Sequence, residues 1–242
     1  MGLINDYEGT NELGLPTTSC VVTRLANGKK DDGTENVVIR PYTPIEWPDH
    51  PNTFDLVVKQ YPTGLMSSHI FSLKPGDTLD IKGPIEKLPY SKGSADHIVM
   101  VAGGSGLTPM LQLIQRIEAD KSDKTSLTLL FANVTQEDII LKKQLDDLAK
   151  ASDRFNVYYV LDKPPKGWTG GSGFVSEQHI GKCLNELRKK TANAGDKAKV
   201  LVCGPPKMLE MVAGPKGPKF TQGEVGGILK KMGFTEENVY KF

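Results

Sequence analysis

Cysteine is scarce in this 242-residue chain: only Cys20, Cys183 and Cys203, far apart in sequence. So few thiols exclude a disulfide scaffold and a cysteine-rich zinc site, and they suit a reducing compartment. Long apolar runs are missing too. No stretch approaches the about 20 residues a membrane-spanning helix needs, and no signal peptide shows at Met1-Gly-Leu-Ile-Asn-Asp6, so the chain alone is expected to be soluble. An excess of one charge is also lacking. Lys and Arg number 30 against 29 Asp and Glu, a net charge of +1, and no global field points to nucleic acid. Histidines are few, and His50, His69, His97 and His179 lie scattered with no second ligand at metal spacing. They read as structural or exposed, and no metal is expected. No internal repeat is visible. What is present, 38% hydrophobic and 24% charged residues, is an ordinary globular mix, long enough for one large domain or two ordinary ones.

The first half is written in short β-type runs: Thr17 to Leu25, Val37 to Tyr42, Phe54 to Gln60 and Thr78 to Lys82. Turn signals part them at Asn27-Gly28, Asp32-Gly33, Pro48 to Pro51, Pro62 to Gly64 and Pro75-Gly76-Asp77. One helix is expected, over Ser67 to Leu73. This pattern predicts a small antiparallel barrel or sandwich over residues 1–83. Residues 84–96, rich in Pro, Gly and Ser, read as a linker.

From residue 97 to 242 the pattern changes. Strands are expected at 98–102, 127–132, 157–161 and 200–203. Helices are expected at 108–119, around Ile139 to Lys150, near Ser176 to Lys190 and at Lys207 to Val212. A further helical stretch, Glu224 to Met232, and a last strand from Asn238 complete the chain. Alternation of this kind means a parallel sheet covered on both faces, with ligands at the carboxyl ends of its strands. Gly103, Asn133, Asp162 and Cys203 follow such ends and should line one edge.

The turn after the first of these strands is the strongest local signal. Gly103-Gly-Ser-Gly-Leu-Thr-Pro109 runs from a buried strand into a helix. Unpaired N–H groups, the positive end of a helix dipole and missing Cβ atoms make such a turn an anion site. It is not the common dinucleotide G-x-G-x-x-G, because Pro109 stands where the last glycine would be, and no acidic residue follows at the expected distance. That speaks against a one-domain dehydrogenase. An ordinary tight βα turn stays open as a reading of this stretch alone.

Other constellations are weaker singly. Arg40-Pro41-Tyr42-Thr43 offers a guanidinium for a pyrophosphate, a ring to stack and a hydroxyl for a ring edge, or else an exposed Arg beside a half-buried Tyr. Gly64-Leu-Met-Ser67-Ser68 opens a helix and can cap it or receive a phosphate. Cys203-Gly204-Pro205-Pro206 sets a thiol at the sheet edge, where a buried small hydrophobe is the commoner fate. Asp162 can accept from ribose hydroxyls and repel a 2′-phosphate, or serve a turn. Lys74, Lys82, Lys87 and Lys92 read as a solvated face able to dock an acidic partner.

Taken in order, these motifs resemble the ferredoxin-reductase-type flavoproteins, and more narrowly the NADH–cytochrome b5 reductases, including the fungal mitochondrial kind. The resemblance runs from Gly14 to Phe242. It is carried by Arg40-Pro-Tyr-Thr-Pro44, Asp55 to Lys59, Gly64 to Ser68, Gly83-Pro84, Gly103 to Met110, Leu130 to Asn133, Asp138 to Leu141, Cys203 to Met208, Gln222 to Leu229 and the final Lys241-Phe242. It implies an antiparallel FAD-binding β-barrel followed by an NAD-binding α/β domain. It also implies a hydride passed from NADH to FAD and single electrons then passed to cytochrome b5, docked transiently by charge.

For FAD, the resemblance implies Arg40, Pro41, Tyr42, Thr43, Val57, Lys59, Gly64, Met66, Ser67, Ser68 and Thr108. For NADH it implies Gly103, Gly104, Gly106, Pro109, Asp162, Cys203, Gly204, Pro205, Pro206 and Met208. Thr43, Thr108 and Cys203 would shape the reacting site. Leu65 departs from the pattern, since relatives often carry Lys there. Only a short polar stretch precedes Gly14, so the barrel is expected to lack its first strands. A monomer is expected, at a mitochondrial location (outer membrane or intermembrane space) or on the endoplasmic reticulum surface. A related flavin or ferric reductase with another acceptor, or a nucleotide-binding remnant without FAD, remains an alternative.

Overall fold

The computed structural model describes residues 15–45, 53–190 and 198–242, with only the backbone of 186–190. Residues 1–14, the turn at Pro48 to Pro51 and His50 lie outside the described residues. Two compact units divide between Pro89 and Tyr90.

The first unit is antiparallel. β1 (Ser19–Lys29) pairs with β2 (Glu35–Tyr42) on one side and with β5 (Asp80–Glu86) on the other. β3 (Pro44–Ile45) and β4 (Asp55–Leu56) form a separate two-stranded ribbon. The hairpin turn lies at Asp31-Asp32-Gly33, where Lys30 N–H donates to the Thr34 carbonyl at 2.8 Å. Asn27-Gly28 makes no turn. Gly28, at φ 76°, supplies an irregularity inside β1, and the register shifts between Ala26 and Lys29 while the strand continues. The expected strand Phe54 to Gln60 shrinks to two residues, because its partner contains Pro44, which brings no N–H to the ladder. β5 runs through Gly83-Pro84 into the stretch read as a linker. Helix α1 (Leu65–Ser72) packs on β1 and β2 and buries Met66 and Ser67.

The second unit holds six parallel strands, β6 (His97–Gly103), β7 (Ser126–Asn133), β8 (Phe155–Leu161), β9 (Gly171–Ser172), β10 (Ala198–Cys203) and β11 (Val239–Lys241). Their order is β11-β10-β6-β7-β8-β9. Every residue of the central β6 is buried, as a strand covered on both faces must be. Helices α2 (Leu107–Ala119), α3 (Lys142–Ala151), α4 (Glu177–Lys190), α5 (Pro206–Ala213) and α6 (Gly227–Lys231) connect the strands. α2 buries Met110, Leu113, Ile114 and Ile117, the i, i+3, i+4, i+7 stripe legible in the sequence.

Tyr90 ties the start of this unit to the loop before β7, donating to Asp123 at 2.5 Å. Burial works against the Asp123 charge, but hydrogen bonds from Tyr90 and Thr125, with the Arg154 cation, hold its carboxyl below its usual value. A carboxylate depressed by folding stabilises the fold above its ordinary value near pH ~4, and that contribution is lost as pH falls through the folded value. Tyr90→Phe is expected to cost about 1 kcal/mol at neutral pH and to shrink the stability lost on acidification. Denaturant unfolding at neutral and acid pH checks this; an unchanged difference between the two would deny the contribution.

Candidate functional site

The chain leaves β6 toward β7 and β8 on one side and returns to β10 on the other. Strand order therefore reverses between β6 and β10, and a crevice opens there at the carboxyl ends. Gly103 ends β6 and Cys203 ends β10, with Cys203 opposite Ala102, one residue before Gly103, across the ladder. The turns that follow touch. A Cβ on Gly106 would fall 2.3 Å from the Cys203 carbonyl oxygen, and one on Gly204 would fall 3.1 Å from Gly103 N. Gly103 faces the Met208 sulfur, 2.6 Å from where its Cβ would be. Gly103, Gly106, Gly204 and Met208, expected from sequence as coenzyme contacts, are thus first the packing surface between the two turns.

Gly104 differs. It sits at φ 54° with nothing within 4 Å of its would-be Cβ, so the turn is open on that side. α2 starts directly after it, with no acidic residue in its first turn and no side-chain cap. A 3-10 turn at Gly104–Gly106 runs into it, so Leu107 N–H already donates to the Gly104 and Ser105 carbonyls, while Pro109 has no N–H to satisfy. Thr108 is buried and donates its hydroxyl to the Ser105 carbonyl at 3.2 Å, bracing the turn. Asn133, at the end of β7, keeps a buried Nδ2 without a partner. An open glycine turn leading into a helix with no acidic residue in its first turn, and an unused amide donor on one edge, fit an anionic dinucleotide.

Asp162 follows β8, its N–H held by the Asn133 carbonyl at 3.0 Å and its residue half-buried. Beside it stands a residue absent from the sequence reading. Gly173 N–H donates to the Leu161 carbonyl at 2.8 Å, and the next residue, Phe174, is 74% exposed. A phenylalanine so bare at a ligand edge is a ring-stacking candidate. Its only sequence signal is its place after Gly170 to Gly173, since a two-residue glycine strand such as β9 has no periodicity. Burial pushes the Cys203 thiol up to about 12, with the Lys216 charge opposing. The thiol is therefore neutral at physiological pH, a packing surface rather than a nucleophile. Pro205 and Pro206 are exposed, and Pro206 opens α5.

In the first unit, Arg40, Pro41 and Tyr42 close β2 and Thr43 follows it, with Arg40 and Pro41 exposed and Tyr42 and Thr43 half-buried. Arg40 Nη1 donates to the Ile39 carbonyl at 2.7 Å. Burial raises the Tyr42 phenol and Arg40 opposes it, so the ring stays protonated. α1 packs on the same strand, starting at Gly64, where a Cβ would fall 2.6 Å from Ser67 Oγ. That hydroxyl is used within the chain: it accepts from Tyr61 N–H at 3.2 Å and donates to the Gly64 carbonyl at 3.1 Å. Ser67 and Met66 therefore build the helix start. Ser68 N–H is likewise turned inward, to the Gly64 carbonyl at 2.9 Å. Val57 is half-buried and Lys59 exposed in the loop after β4. An exposed guanidinium, a half-buried phenol ring and a helix start without acidic residues fit a flavin nucleotide with its pyrophosphate. Among the described residues no His, Cys, Asp and Glu gather into a metal site, and no helix is long and apolar enough to cross a membrane.

Residues 7–90 match the oxidoreductase FAD-binding domain model, and residues 100–214 match the oxidoreductase NAD-binding domain model. The chain is 47% identical to an NADH–cytochrome b5 reductase-like protein of Arabidopsis thaliana, over 98% of this chain and 70% of that protein. It is 48% identical to NADH–cytochrome b5 reductase 2 of Mycosarcoma maydis, over 99% of this chain and 67% of that one. Among solved structures, the cytochrome b5 reductase domain of Ulva prolifera nitrate reductase superposes with a TM-score of 0.75 at 32% identity, covering 96% of this chain and 86% of that domain.

Proposed function

This chain belongs to the NADH–cytochrome b5 reductase family of FAD- and NAD-binding oxidoreductases, and on that premise we propose that it oxidises NADH and reduces cytochrome b5. The observation that carries the NADH site is the contact of the β6–α2 turn with the Cys203-Gly204 turn where strand order reverses.

FAD, when bound, takes two electrons from NADH as a hydride and releases them singly. The chain's own part is placement. The open Gly104 turn ahead of α2 and the Asn133 amide receive the dinucleotide pyrophosphate and its neighbouring sugar. Asp162 accepts from ribose hydroxyls, and Phe174 stacks on the adenine. Arg40 neutralises the FAD pyrophosphate with the α1 start, while Tyr42 and Thr43 orient the flavin ring. Thr108 and the neutral Cys203 thiol wall the reacting end and keep water out. No residue has to take up a proton for this work; rate comes from orientation.

The acceptor is cytochrome b5, met by the exposed lysines Lys74, Lys82 and Lys87 in a small, charge-steered and short-lived contact by a monomer. The location proposed is the mitochondrial outer membrane or intermembrane space, or the endoplasmic reticulum surface; fractionation of cells carrying the tagged protein tests it, and a signal in none of these counts against it. Reduction of cytochrome b5 by the FAD-loaded protein and NADH tests the function; activity with ferric chelates alone would move the assignment to a sibling reductase. Asp162→Thr should lower the preference for NADH over NADPH about fivefold, the scale of a partly exposed charge contact. Equal kcat/KM ratios in variant and parent would refute that role.

A further inference from the structure

The end of the chain locks a loop to which the chemistry above gives no task. Residues 214–226 connect α5 to α6. Lys241, in β11, is 1% exposed. Its ammonium donates to the Pro215 carbonyl at 2.8 Å and to the Glu224 carbonyl at 2.9 Å. The Gln222 side chain accepts from Lys241 N–H at 2.7 Å and donates to its carbonyl at 3.0 Å. The loop is tight on itself as well. Gly217 N–H donates to the Thr221 carbonyl at 3.0 Å and Gly226 N–H to Ala213 at 2.9 Å. A Cβ on Gly223 would fall 2.8 Å from Gly217 N, and one on Gly214 would fall 2.8 Å from Gly226 N.

A lysine out of water is a costly device: burial pulls its proton affinity down, with the Glu236 carboxylate opposing. It specifies a loop geometry more than it adds stability. That geometry belongs to the coenzyme edge. Lys241 lies opposite Val202 in the parallel ladder, and Phe242 N–H donates to the Val202 carbonyl at 2.9 Å. The clamp is therefore one residue away from Cys203. Lys216, the residue after the clamped Pro215, brings its charge close enough to act on the Cys203 thiol. The loop tip, Lys219 at φ 53° and Phe220 at φ 62°, is held in left-handed backbone, a conformation that non-glycine residues take only when their surroundings impose it.

We propose that Lys216 binds the anionic dinucleotide at the Cys203 end of the edge, and that Lys241 is the positioning residue that holds it there. This rests on the NADH site proposed above. The glycine turn brings N–H dipoles without formal charge; Lys216 adds a cation from the β10 side.

Calorimetric titration with NAD+ of the FAD-loaded chain, together with amide exchange of residues 215–224 without nucleotide, tests the proposal. Lys216→Met and Lys241→Met should each weaken NAD+ binding about fivefold, and the double variant also about fivefold, because a released loop no longer places the charge. Lys241→Met should speed exchange in the loop, and Lys216→Met should not. Gln222→Ala loosens the same clamp and should lower affinity with faster exchange, which keeps the test available if Lys241→Met folds poorly. A double variant weakened by the product of the single effects would overturn the positioning role. Unchanged affinity in Lys216→Met, with the parent binding NAD+ well, would overturn the binding role and leave the NADH site standing. A parent that does not bind NAD+ would overturn both.

Discussion

Gly106→Ala should lower the stability of the second unit by about 1–3 kcal/mol and weaken NADH binding at least tenfold. The backbone of Gly106, at φ −63° and ψ −2°, suits any residue, so the effect is not conformational. It is steric: the new methyl would lie 2.3 Å from the Cys203 carbonyl oxygen and 2.6 Å from its carbon. Backbone cannot step aside as a side-chain tip can, so the two turns must part, and the edge they form together loses its shape. An ångström of misplacement is enough to cost such a site heavily. Gly104→Ala provides the contrast. Its methyl meets nothing, and the left-handed backbone costs about 1–2 kcal/mol. It fills the open side to which the proposed site assigns the pyrophosphate, so affinity should fall more than stability. Urea unfolding and NAD+ titration of both variants separate the two effects. Equal behaviour of the variants would mean that the turns' contact carries no special weight.

Arg40→Ala should weaken FAD binding by about 10- to 100-fold, the range of a lost hydrogen bond to a charged group, about 1.5–3 kcal/mol. Arg40 is exposed on β2, and its guanidinium donates to its neighbour's carbonyl, so truncating the side chain leaves no buried partner stranded and should hardly change stability. Arg40→Lys should recover only part of the affinity, because an ammonium lacks the planar fork that grips two phosphate oxygens. Fluorescence titration of the apoprotein with FAD reads both. FAD affinity unchanged in Arg40→Ala would remove Arg40 from the site.

The α/β unit was legible because burial on both faces writes itself as apolar runs. Val99 to Ala102, Leu127 to Ala132 and Val200 to Cys203 all lie within their strands. The edge was legible too: parallel strands put Gly103, Asn133 and Cys203 at one end by topology alone. What escaped has no period to read. β9 is two residues, and Phe174 follows it without pattern. The helix expected from Glu224 starts at Gly227, because Gly226 is extended and bonded to Ala213 while Gly227 sits at φ 57°. The helix expected from Ile139 starts at Lys142, after Leu141 at φ 55°. The Lys241 clamp joins residues 17 and 26 positions apart through backbone carbonyls, which no side-chain spacing announces. In the first unit, the two-residue β4 left little of the expected strand.

The central claim is that one chain binds both nucleotides and moves electrons between them. Anaerobic titration of the FAD-loaded protein with NADH, followed in the flavin absorbance, tests it most directly. Equimolar NADH should bleach the flavin fully, and added cytochrome b5 should restore its colour as the haem is reduced. A flavin band that stays unchanged under excess NADH would contradict the account.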